Sequence, residues 1–133
     1  MVEQYMSENQ PKVLIVEDNQ AVCAILKEKL EEEGISVDVA VNGEAGLRKL
    51  GLSWPDLLIL DIVMPKLDGA KMVRAVQAKK DISDFPIIII TNITKAEAKR
   101  RCAGLPIADI FIKASSSLDA IATRVQEILK QKK

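Results

Sequence analysis

The stretch "FPIIIIT", residues 85–91, holds four consecutive isoleucines. It is aliphatic on both faces, as a strand is when it lies in the middle of a parallel sheet with helices above and below. Working outward, four more short runs have strand character. "KVLIVE" (12–17) is β-branched, and "DLLILD" (56–61) is aliphatic between two acids. "SVDVAV" (36–41) alternates apolar and polar, as a half-buried or edge strand does. "ADIFIK" (108–113) is the fifth.

Helical patterns fill the gaps. Val22, Ile25, Leu26 and Leu30 recur at helical spacing, and Gly34 is a C-terminal stop after "EEE". Asn42 caps a short helix carrying Ala45, Leu47 and Leu50. Asp68 caps another, whose apolar face is Met72, Val73 and Val76. Thr94 and Glu97 form a T-x-x-E capping box, and Ser116 with Asp119 fits a second. Leu118, Ile121, Ala122, Val125, Ile128 and Leu129 then lay one stripe along a last helix. Five strands alternating with five helices predict a mostly parallel, doubly wound α/β sheet.

The chain has 133 residues, 48% apolar and 29% charged, which suits one soluble domain with a real core. Residues 1–11 read as a polar tail, residues 12–133 as the domain, and "LKQKK" as a fraying helix end. Formal net charge is +0, so nothing in bulk draws the chain to nucleic acid or membrane. No window is long and apolar enough to span a bilayer, and the N-terminus has no signal-type stretch. Histidine is absent, which removes the commonest zinc ligand and general base. Cys23 and Cys102 are expected to be reduced and buried, which fits the cytoplasm. Doubly wound topology puts their helices on opposite faces, beyond the ~7 Å limit for a disulfide. The chain stops after the fifth helix, so a separate DNA-binding output domain is not expected.

In an open parallel sheet the functional crevice lies beyond the carboxyl ends of the strands. The first strand ends in Glu17-Asp18, the third in Asp61, the fourth in Thr91 and the fifth in Lys113. Each alone has an ordinary reading as a cap, a strand end or a solvated charge. Together on one edge they do not. Clustered carboxylates repel unless a cation sits among them. The donors are all oxygen, which points to a hard divalent ion, Mg²⁺ beside a phosphate. One carboxylate can then take a phosphoryl group as an aspartyl phosphate.

The spaced set of Glu17-Asp18, "LLILDIVMPKLDG" (57–69), Thr91 after "PIIII" and Lys113 after "ADIFI" resembles the receiver domain of two-component response regulators, over residues 12–131. It is similar to the single-domain, chemotaxis-regulator type. The resemblance implies a flavodoxin-like receiver fold, strand order 2-1-3-4-5, with five helices. It implies that Asp61 accepts the phosphoryl group from a histidine kinase or phosphotransfer protein. Asp18 and Asp61 would bind Mg²⁺ by side chains, Val63 by its backbone carbonyl and Glu17 through water. Thr91 would be the switch hydroxyl and Lys113 the phosphate-pairing ammonium, with Pro65 and Gly69 shaping the loop.

Three positions depart from the family pattern. Ile110 stands where the switch aromatic normally sits, while Phe111 is aimed by strand alternation at the opposite face. Ala114 replaces the usual proline after the lysine, so the Lys113–Ala114 peptide is expected to be trans. Asn92 follows the switch threonine where a small residue is usual. Two other functions compete: a pseudo-receiver that is never phosphorylated, and an Mg²⁺-dependent aspartyl-phosphate phosphohydrolase. The latter usually needs an acid two residues past its nucleophile, and that position is Val63. A phosphate cradle for flavin and a P-loop are both missing. The expectation is a phosphorylation-dependent switch, not an enzyme beyond its own phosphotransfer and slow dephosphorylation. Its downstream protein target is expected at the face of the fourth helix and fifth strand.

Overall fold

The computed structural model describes residues 10–64, 67–78 and 85–131. Five strands form one sheet in the order β2-β1-β3-β4-β5, every pair parallel. They are β1 (Lys12–Val16), β2 (Ser36–Ala40), β3 (Leu57–Leu60), β4 (Ile87–Thr91) and β5 (Ile107–Ile112). The helices are α1 (Gln20–Glu32), α2 (Gly43–Leu52), α3 (Gly69–Gln77), α4 (Lys95–Arg101) and α5 (Leu118–Gln131).

The strand period of two splits each central strand between two cores. Leu14, Val16, Leu58, Leu60, Ile87 and Ile89 pack with Leu50, Met72, Val73 and Ala98 under α2, α3 and α4. Val13, Ile15, Leu57, Ile59, Ile88 and Ile90 pack with Leu26, Leu30, Ile121 and Val125 under α1 and α5. Cys102 belongs to the first core and Cys23 to the second, both as free thiols. Burial pushes the Cys23 thiol up to about 11 and raises that of Cys102, so neither is a reactive thiolate near neutral pH.

Asn19, Asn42 and Asp68 cap α1, α2 and α3. α1 ends in a Schellman pair, Gly34 N–H to Glu31 O and Ile35 N–H to Leu30 O, with Gly34 at φ +81°. Both edge strands close a backbone N–H with a carboxylate held from a helix. Asp38 accepts from Val39 N–H and pairs with Lys49; Asp109 accepts from Ile110 N–H and pairs with Arg124.

Four local expectations are corrected. α5 is capped by Ser117, whose hydroxyl accepts the Ala120 N–H, not by Ser116; Asp119 pairs with Lys29 instead. Thr94 caps α4 through Glu97 N–H, but the Glu97 carboxylate turns to Arg100 and Arg101, so the box is half made. Ile25 is 44% exposed, and Cys23 takes its place on the buried face of α1. Lys113 stands just outside β5, because the last register pair is Thr91 with Ile112.

Candidate functional site

Among the described residues, the buried polar side chains are Glu17, Asp61 and Thr91. Burying polar groups is costly, so their common location needs a cause. Glu17 is one residue past β1, Asp61 one past β3, and Lys113 one past β5, while Thr91 ends β4. All sit at the carboxyl edge because the parallel strands run in register. Asp18 stands exposed beside them.

Lys113 joins the acids. Its Nζ lies 2.7 Å from Asp61 Oδ2 and 2.5 Å from Glu17 Oε1. Asp61 Oδ1 accepts the Val63 N–H at 2.9 Å, and Glu17 Oε2 accepts the Asn19 N–H at 2.9 Å. Glu17 Oε1 has the ammonium beside it without hydrogen-bond geometry, and no other donor reaches it. Burial pushes the Glu17 carboxyl up; Lys113 and the Asn19 N–H draw it part of the way back, and Asp18 and Asp61 add to the rise. Burial works against the Lys113 ammonium, but Asp61 and Glu17 outweigh it and leave its pKa raised.

The geometry fits a cation. Glu17, Asp18 and Asp61 each offer an oxygen, all within 4.8 Å of one another. Three carboxylates share one ammonium, which pairs with Glu17 and Asp61 and leaves Asp18 without it. An all-oxygen cluster of this span suits a hard divalent ion that keeps some of its waters.

The Thr91 hydroxyl accepts the Ile93 N–H at 3.4 Å. Ile110 packs in the α2–α4 core and Phe111 on the α1–α5 side, as strand alternation requires. No described peptide is cis, so Lys113–Ala114 is trans. One contact lies beyond sequence reasoning: Asn92 Oδ1 accepts the Ala114 N–H at 3.1 Å, joining two of the positions that depart from the family pattern. The residues are 22 apart and no local pattern links them.

Pro65 lies outside the described residues. Gly69 supports the Asp61 loop through its bareness. Its N–H donates to Ile62 O at 3.1 Å. A Cβ there would fall 2.6 Å from Asp61 O and 2.8 Å from Ile62 Cα. Gly69→Ala must push backbone against backbone, so urea unfolding should show a loss of about 1–3 kcal/mol. An unchanged midpoint would mean the α3 start yields freely.

Residues 13–126 match the family model described as response regulator receiver domain. The chain is 32% identical over 124 residues to the phosphate regulon transcriptional regulatory protein PhoB of Rhizobium meliloti, covering 92% of this chain and 54% of that protein. It is 33% identical over 121 residues to the alkaline phosphatase synthesis transcriptional regulatory protein PhoP of Bacillus subtilis, covering 90% and 49%. It thus spans about half the length of these relatives. Among solved structures, the receiver domain of Francisella response regulator 1452 aligns with a TM-score of 0.80 at 28% identity, covering 93% of this chain and all of that one.

Proposed function

Because this chain belongs to the response regulator receiver family of two-component signalling, we propose that it is a phosphorylation-dependent switch whose phosphoacceptor is Asp61. Receiver domains are signalling proteins that interact with histidine kinases and bind Mg²⁺ in an acidic pocket. The observation that supports the finer reading is the Lys113 ammonium held between Asp61 and Glu17, with Asp18 alongside.

In this reading an Asp61 carboxylate oxygen attacks the phosphorus of a phosphohistidine on a histidine kinase or phosphotransfer protein. The new O–P bond forms as the P–N bond breaks, and the imidazole leaves with the electron pair. Lys113 shifts its ion pair from the bare carboxylate to a phosphoryl oxygen, and the Thr91 hydroxyl turns to donate to another. Glu17, Asp18, Asp61 and the Val63 backbone carbonyl would hold Mg²⁺, which supplies positive charge to the transferring oxygens. The proposed unit is residues 12–133, and the proposed setting is the cytoplasm; among the described residues no helix is long and apolar enough to cross a membrane. The proposed output is a protein docking on the face of α4 and β5, with no direct nucleic-acid contact by this segment.

The test is intact-mass measurement of the chain with acetyl phosphate, with and without Mg²⁺. A hydroxylamine-labile phosphoryl adduct is expected with Mg²⁺ and should vanish with EDTA. No adduct with metal, or an adduct indifferent to EDTA, defeats the reading.

The phosphorylated form should be long-lived. Hydrolysis needs a water in line with the Asp61–phosphorus bond, on the far side of phosphorus. Val63 and Ile93, two past Asp61 and two past Thr91, are apolar and cannot orient that water. The Asn92 acceptor oxygen is already engaged by Ala114. Loss of phosphate with time should be about tenfold faster for Val63→Asn or Ile93→Glu than for the native chain, or ~1.4 kcal/mol of barrier. Equal decay of all three would show that neither position governs the water.

A further inference from the structure

Thr91 and Ile112 are the last partners of β4 and β5. Beyond them both chains leave the ladder: Asn92 enters the bend that leads to α4, and Lys113 opens a 3-10 turn, Lys113–Ser115. That turn is three residues long and has no side-chain cap. Such turns are weak on their own, because their hydrogen-bond geometry is poor. Ala114 and Ser115 are exposed, so packing does little to hold them.

Yet the turn carries Lys113, whose ammonium must reach two buried carboxylates at once. A lysine stem has four rotatable carbons, and the tip is placed only as well as the Cα beneath it. Asn92 Oδ1 accepts the N–H of Ala114, the peptide immediately after Lys113. The same Asn92 is bonded to Thr91, a fully buried residue of the central sheet. The contact therefore ties the base of the lysine to the rigid end of β4.

We infer that Asn92 is a positioning residue for phosphoryl transfer: its carboxamide latches the Lys113-bearing turn to the end of β4, so that the ammonium stands where the incoming phosphoryl oxygens arrive. The inference rests on Asp61 being the phosphoacceptor. It acts through Lys113 and touches no reacting atom. A purely local surface hydrogen bond would add to loop stability and leave the ammonium's function alone, and the two cases separate by experiment.

Initial rates of phosphorylation by acetyl phosphate in Mg²⁺ are measured for the native chain, Asn92→Ala, Lys113→Ala and the double variant. Asn92→Ala should lower the maximal rate about fivefold while leaving the half-saturating donor concentration unchanged, since misplacement costs rate rather than binding. In the Lys113→Ala background the same substitution should change the rate by less than about twofold, because residues acting as one unit are non-additive. An equal drop in both backgrounds, or none in the native one, overturns the inference. Amide-resolved hydrogen exchange supplies the second readout. Ala114 N–H should be protected in the native chain and in Asn92→Asp, which keeps an accepting oxygen, and should lose protection in Asn92→Ala. Equal exchange in all three also overturns it. If the native chain takes up no phosphate, the phosphoacceptor reading has failed instead, and the Ala114 exchange still reports whether the latch exists.

Discussion

Asp61→Asn should take up no phosphate from any donor while folding as well as the native chain or better. The substitution removes the carboxylate proposed to attack and keeps the shape. The Asn carbonyl oxygen can still accept the Val63 N–H that now meets Asp61 Oδ1 at 2.9 Å. The electrostatic sign follows from counting charges. Glu17, Asp18 and Asp61 are three acids, and Lys113 is the ammonium bonded to two of them. Removing Asp61's charge leaves Lys113 paired with Glu17 and relieves repulsion among the acids. The loss of one ion pair opposes this, so the net change should lie within about 1 kcal/mol of zero or on the stabilising side, on the scale typical for such swaps. Intact-mass labelling with acetyl phosphate and a urea melt check both halves. Stoichiometric labelling of the substituted chain would remove Asp61 from its role. A collapse in stability with no labelling would mean that Asp61 is structural first.

The strands were legible because their chemistry is period two and their neighbours bury both faces. "FPIIIIT" places its isoleucines alternately in the two cores, although the ladder begins at Ile87; Pro86 has no N–H to give and contributes its carbonyl to Leu58. The convergence of Glu17, Asp61, Thr91 and Lys113 was legible for the same reason: parallel strands bring their ends to one edge. What lay beyond sequence reasoning is decided by three-dimensional choice among chemical equals. Ser116 and Ser117 are identical acceptors, and the cap falls to Ser117 because α5 begins at Leu118, which packs partly buried against the α1 and α5 core. Glu97 prefers two arginines on its own helix to a backbone N–H behind it, and the surface geometry allows that at little cost. The Asn92–Ala114 contact needs two loops to meet, and neither loop has a pattern that names the other.

Lys113→Ala should lower the maximal rate of phosphorylation by about 10²–10³, the usual cost of removing a preorganised charge from a transition state. The reason is position. The ammonium already sits 2.7 Å from the carboxylate proposed to attack, so only a short shift brings it onto the phosphoryl oxygens as they arrive. The same substitution should cost stability. Glu17 is fully buried and Asp61 is 3% exposed, and both would lose the ammonium between them. Breaking a fully buried pair costs about 3–5 kcal/mol. Here the site opens to solvent at Asp18 and Lys113 is 19% exposed, so the loss should be smaller. About 1–3 kcal/mol in EDTA is expected, on the general scale of removing one partner from a charged contact. Added Mg²⁺ should recover part of it, because a second cation then screens the same oxygens. Arginine at this position should restore the stability better than the rate, since its fork still pairs with carboxylates but cannot place a compact charge on a phosphoryl oxygen. Urea melts with and without Mg²⁺, run beside the labelling rates, measure every term. A Lys113→Ala chain that labels within about threefold of native, a change too small for a lost transition-state contact, would show that the ammonium serves the fold and not the transfer.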